Sequence, residues 1–325
     1  MDRPSLTVLT DPIPTGIDFV PEKSKRLLRH IKYLAKKRSF SSDPLYRGHF
    51  AVTRSLLQGL EKIGVNFNYS PRKLSSLAET VIVLAGVNTL RQAIRLKQGG
   101  HIKKLFAGPN IFNFSDRGIN LASPEVDAAI TASPYIGDLF VEGSPSLRGR
   151  IITWAAGVDV DYWRPERHAP GKKILIYKKQ NAGPVESVEP FANYLREKGY
   201  EIVNLEYGNY THGEFLEALQ QSQLMIGFVI AETQGIAWAE AWSVGVPTLI
   251  WRNTSRVVKG RLYKCSTAPY LCDRNGLFFD NFDNFRQQFA YWESHRDQFD
   301  PRTWALKNMS DEVCAQKLYS KVTSC

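Results

Sequence analysis

Two glutamates eight positions apart, Glu232 and Glu240, stand in FVIAETQGIAWAEAWSVGVPTLI, residues 228 to 250. The spacing predicts a buried strand, then a polar loop, AETQG, and then a helix from Gly235. That helix is apolar apart from Glu240 and carries Trp238 and Trp242. A carboxylate fits poorly in such surroundings unless something polar meets it. One carboxylate accepts hydrogen bonds from two hydroxyls at once, which suits the diols of ribose and hexose. The helix start adds a second kind of chemistry. Its first N–H groups have no intrahelical partner and its dipole favours negative charge, so the amides of Gln234, Gly235 and Ile236 suit a diphosphate. Glu232 in the loop and Glu240 about one and a half turns further on can therefore address different parts of one extended ligand.

Cations and small residues complete the set. The run KKILIYKK, residues 172 to 179, reads as a strand that ends in Lys178 and Lys179. Gly48 precedes a helix expected from Phe50; His49, beside it, can assist acid–base chemistry or simply pack. No Asp-x-Asp triplet is placed to hold a metal, since Asp159-Val160-Asp161 lies between the two halves of the chain.

These residues need a frame that brings strand ends together. With 325 residues, 43% hydrophobic and 23% charged, the chain is globular in composition and long enough for two cores. Short β-branched runs such as SLTVLT, TVIVLAG and RIITWAAG alternate with helical segments, and the alternation restarts after Pro165. Strands alternating with helices imply parallel sheets covered on both faces. The expectation is α/β with two Rossmann-like domains: residues 1–165 as an N-terminal acceptor domain and 166–300 as a C-terminal donor domain, with a cleft between. Beyond residue 260 the pattern weakens until DEVCAQKLYSKV, so residues 301–325 are expected to hold a closing helix that packs back on the N-terminal domain.

Charge is unevenly spread. The formal net charge is +10, and residues 22–38 (EKSKRLLRHIKYLAKKR) hold eight Lys/Arg against one Glu, +7 of that total. Leu27, Leu28, Ile31, Leu34 and Ala35 fall at helical spacing within it, as in a helix lying on an anionic membrane surface or packing on its own domain. Without this segment little charge remains to argue for nucleic acid, and no specific nucleic-acid partner is expected. No apolar run approaches the ~20 residues of a membrane span. No secretion signal is evident, so a cytoplasmic protein, peripheral on the membrane through residues 22–38, is expected. Cys265, Cys272, Cys314 and Cys325 lack zinc spacing and read as free thiols.

Three motifs carry a resemblance. Glu232-x7-Glu240 with Gly235 and the closing Gly245-Val246-Pro247 is similar to the donor-site signature of family 4 glycosyltransferases of GT-B fold. GVDVDYWRP (157–165) resembles the interdomain segment of that family, and RNGLFFD (274–280) resembles the strand that follows its donor helix. The resemblance implies Glu232 at the transferred sugar, Glu240 on the nucleotide ribose, Lys178 or Lys179 as the cation that neutralises the departing phosphate, and Gly48 at a turn facing the donor phosphates. It also implies a nucleoside-diphosphate sugar as donor, a glycan, lipid-linked or small-molecule hydroxyl acceptor, retention of configuration, no obligatory metal and no further cofactor. The family's second donor cation has no counterpart in residues 180–184, and Gly108-Pro109-Asn110 stands where its N-domain histidine is often found. Two other readings stay open: a catalytically weak nucleotide-sugar-binding protein of the same fold, and a polyanion- or membrane-binding module built on residues 22–38.

Overall fold

The computed structural model describes residues 4–10, 48–71, 73–112, 120–166, 171–179, 187–258 and 260–324. The basic segment 22–38 and the side chain of His49 lie outside the described residues. The first half alternates β1 (Leu6–Leu9), α1 (Gly48–Lys62), β2 (Phe67–Tyr69), β3 (Thr80–Ala85), α2 (Val87–Gln98), β4 (Lys104–Asn110), β5 (Ala128–Thr131), α3 (Pro134–Gly143) and β6 (Ile151–Thr153). Its strands form one parallel sheet in the order β2-β1-β3-β4-β5-β6.

The second half repeats the plan with β7 (Lys173–Lys178), α4 (Glu189–Glu197), β8 (Glu201–Glu206), α5 (His212–Gln220), β9 (Leu224–Phe228), α6 (Ile236–Val244), β10 (Thr248–Trp251) and, after a detour, β13 (Gly276–Phe279). These strands order as β8-β7-β9-β10-β13, again all parallel. The detour is a separate antiparallel hairpin, β11 (Ser255–Val258) and β12 (Arg261–Lys264). Apolar clusters cover both faces of each sheet, as parallel sheets require. The two halves are thus two Rossmann-like units of α/β class.

Four elements were not legible beforehand: α3, the hairpin, α7 (Phe282–Ser294) and α8 (Pro301–Asn308). In α7 the buried stripe is Phe285, Phe289 and Trp292, and the Asn281 side chain caps its start through the Asn284 amide at 2.8 Å. Aromatic residues are poor intrinsic helix formers, so packing against β13 and β10 decides this helix rather than propensity. The last helix, α9 (Asp311–Ser324), lies against α1 of the first unit. Gly59 of α1 admits that approach: a Cβ there would lie 2.6 Å from the Ala315 Cβ. Cys265, Cys272 and Cys314 carry no disulfide, and no described helix is long and apolar enough to cross a membrane.

Candidate active site

In a parallel sheet the strand order reverses at one point, and the loops beyond the carboxyl ends of the two strands there diverge to open a crevice. In the second unit that point lies between β7 and β9. Tyr177 and Lys179 at the end of β7, and the loop from Glu232 to Gly235 after β9, line a cleft of about 270 Å³. The first unit closes it from the opposite side with Gly48 and Val52 of α1, Pro109, Asn110 and Phe112 at the end of β4, and Ala132 after β5.

The turn into α6 is sterically determined. Gly235 sits at φ +83°, and a Cβ on it would overlap the indole of Trp238. The far edge of the Trp238 indole in turn sits against Gly227 of β9, and its Nε1–H donates to the Thr267 carbonyl at 2.9 Å. The helix is thereby pressed onto the sheet, with Ile236 and Ala237 of its first turn lining the cleft. From Trp238 to Val244 every residue of α6 is buried, so this is an interior helix with no polar face. Glu240 is its one acidic residue. It is 5% exposed, lines the cleft, and makes no hydrogen bond or ion pair among the described residues. Burial holds its carboxyl well above the ordinary carboxylate range, with Arg54 and Lys179 drawing it part of the way back. An unpartnered carboxylate on the wall of a cleft is a group prepared for a ligand's hydroxyls.

Glu232 is ion-paired with Lys179, and the Lys179 ammonium also sits 4.7 Å from the centre of the Tyr207 ring. Both polar groups of the Glu232 backbone are held. Its amide donates to the Ser266 carbonyl at 2.8 Å, and its carbonyl accepts from the Tyr135 hydroxyl, also at 2.8 Å. Tyr135 belongs to α3, so this bond crosses from the first unit to the second. A second crossing bond runs from the Tyr270 hydroxyl to the Ala132 carbonyl at 2.7 Å.

Glu232, Glu240, Gln234, Gly235, Ile236, Lys179 and Gly48 all line one cleft. Lys178 does not. Tyr177 and Lys179 both face the cleft and strand side chains alternate, so Lys178 is turned to the other face of the sheet. Of the two lysines, the structure brings Lys179 and not Lys178 to the cleft. The Gln234 side chain is engaged elsewhere: it is buried and clasps the backbone of Ala156, accepting from its amide at 3.0 Å and donating to its carbonyl at 2.6 Å. That clasp ties the Glu232 loop to the segment joining the two units and leaves only the residue's backbone for a ligand.

The sequence reading missed Tyr177, Tyr207, Tyr210, His212, Asn110 and Phe112, all on the cleft wall. Tyr210 donates its hydroxyl proton to Tyr177 at 3.2 Å, and the buried His212 stands edge-on to Trp163 at 6.2 Å between ring centres. Asn110 Nδ2 is buried without a partner. The available signal was position: each lies at or just beyond the carboxyl end of β4, β7 or β8.

No protein-family model matches the sequence, and no curated protein matches it. Solved structures do match in fold. HepE of Anabaena in complex with UDP superposes with a TM-score of 0.55 at 11% identity, over 99% of this chain and 100% of that one. A glycosyltransferase from Rickettsia africae gives 0.53 at 13% identity, covering 98% and 97%. Sucrose-phosphate synthase of Thermosynechococcus elongatus gives 0.51 at 9% identity, covering 98% and 99%. The chain shares its fold of two Rossmann-like units with these structures.

Proposed function

We propose that this protein transfers a sugar from a nucleoside-diphosphate sugar to a hydroxyl acceptor. Glu240 receives the ribose diol, the amides at the start of α6 and the Lys179 ammonium receive the diphosphate, and Glu232 stands at the transferred sugar. The observation that carries this reading is the buried, unpartnered Glu240 on the wall of a cleft that an apolar helix and a cation also line. Leaving-group departure places negative charge on the diphosphate, and fixed amides and a cation already aimed there lower that barrier. Retention of configuration and independence of a metal belong to the same proposal; what supports them is the resemblance of the Glu232-x7-Glu240 motif. The acceptor is a glycan, a lipid-linked sugar or a small hydroxyl compound entering from the first unit. Structures of HepE with UDP and with UDP-glucose make uridine nucleotides the first to try.

A thermal-shift screen of UDP, GDP, ADP and dTDP tests the reading, since a ligand at 100 times its Kd stabilises by ~2.7 kcal/mol. Glu240→Gln sharpens it. With its carboxyl held above the ordinary range, the folded chain keeps a proton that the unfolded chain releases, so stability falls as pH rises above the usual carboxylate value. The amide has no such slope. The variant is therefore expected to melt higher than the parent without ligand at neutral pH, by a margin that shrinks on acidification. Its nucleotide affinity is expected to drop by ~1–3 kcal/mol, the scale of a lost buried polar contact. Unchanged affinity for a diphosphate that binds the parent would remove Glu240 from the ribose.

A further inference from the structure

The hairpin β11–β12 belongs to neither sheet. Residues 252–264 contain Arg252, Arg256, Lys259, Arg261 and Lys264 and no Asp or Glu. Cross-strand partners share a face, so the pairs Val257–Leu262 and Ser255–Lys264 lie on one side and Arg256–Tyr263 on the other. The second side is turned toward the first unit: Arg261 lies on it and reaches Glu142 of α3 at 2.5 Å. The first side points away. Val257 and Leu262, at 67% and 65%, are the most exposed large apolar side chains among the described residues. Lys264 shares that outward side, whereas Arg256 stands on the reverse one; both are exposed and make no ion pair among the described residues.

We propose that this outward side of the hairpin rests on an anionic lipid surface, with Val257 and Leu262 entering the headgroup boundary and Lys264 meeting the headgroups. An apolar tip with a cation beside it complements a surface that is negative outside and apolar beneath. Two apolar side chains make far too small a patch for a standard protein interface, which takes about 800 Å² from each partner. The hairpin is rooted beside the candidate site: Asn253 donates to the Ile230 carbonyl at 2.8 Å, and the Ser266 carbonyl holds the Glu232 amide at 2.8 Å. Contact there brings the Glu232 loop close to the lipid. On the transfer reading above, on which this clause alone rests, the acceptor is one carried at that surface.

The test is co-sedimentation of the full chain with phosphatidylcholine vesicles, with and without phosphatidylglycerol. The parent is expected on the anionic vesicles only, with retention falling as salt rises. Lys264→Gln is expected to lower partitioning about fivefold, the effect of one cation removed from the surface. Val257→Ser with Leu262→Ser is expected to lower it about tenfold, whereas Leu262→Trp is expected to raise it, because indole favours the interface. Nucleoside-diphosphate thermal shifts are expected to be the same in all of them, which keeps this inference separable from the transfer reading. A parent that ignores anionic vesicles overturns the proposal. So do hairpin variants that partition as the parent does, since the binding then resides elsewhere, as in residues 22–38, or the hairpin serves a protein partner.

Discussion

Replacing Glu232 by Gln is expected to lower kcat roughly a hundred- to a thousandfold, the ~3–4 kcal/mol scale of an electrostatic group aimed at a transition state, while KM for the donor stays or falls. The exchange keeps size and hydrogen-bonding reach and removes only the charge. In the ligand-free protein that charge is paired with Lys179. A neutral amide in its place would release the ammonium, so ground-state hold on the diphosphate is not weakened, whereas positive charge developing on the sugar loses its counterpart. A loss confined to the chemical step separates this role from that of a hydroxyl grip, which would raise KM and spare kcat. If both parameters match the parent's on a donor shown to bind, the reacting centre is not at Glu232.

Much of this arrangement was legible because it depends on local patterns. The repeated alternation of β-branched runs and helical segments announced two parallel sheets. Glu240 stood out as a charge on a helix apolar all round, and its burial in α6 is the structural form of that anomaly. What the sequence did not announce depends on contacts between distant residues. Lys178 and Lys179 are equivalent as text, and only the facing of β7 turns Lys179 into the cleft. Gln234 reads as a loop amide, but its side chain is occupied by Ala156, 78 positions earlier. Tyr177 and Tyr210 are distant in sequence and meet only because β7 and β8 are neighbours in the sheet. The hairpin escaped notice because Val257, Val258 and Leu262 are few apolar residues among cations, with no buried face to impose alternation.

Arg54→Met is expected to destabilise the protein by ~3–5 kcal/mol, and Asp311→Asn by a similar amount, while Arg54→Met with Asp311→Asn is expected to recover much of the loss. Arg54 on α1 and Asp311 at the start of α9 form an ion pair at 2.5 Å, with side-chain exposures of 5% and 1%. The pair sits where the chain returns to its first unit. A Cβ on Gly157 would lie 2.6 Å from the Asp311 Cα, and Gly157 donates its amide to Ser55 Oγ at 2.6 Å. Either partner left alone is a buried charge without compensation, but the two losses differ in their pH dependence. Burial already holds the Asp311 carboxyl above its ordinary value against the pull of Arg54, with Asp159 pushing the same way as burial. Without Arg54 that displacement grows. The folded chain then keeps a proton which the unfolded chain releases, so the cost of Arg54→Met is expected to rise as pH climbs above the usual carboxylate range and to shrink below it. A guanidinium cannot shed its proton, so the cost of Asp311→Asn is expected to lack that rise. Arg54 also draws down the carboxyl of Glu240, so Arg54→Met should weaken the nucleotide shift even at a pH where the fold holds. Urea unfolding of the four proteins at two pH values closes the cycle. Additive single losses, with no recovery in the double variant, would show that Arg54 and Asp311 do not act as a pair.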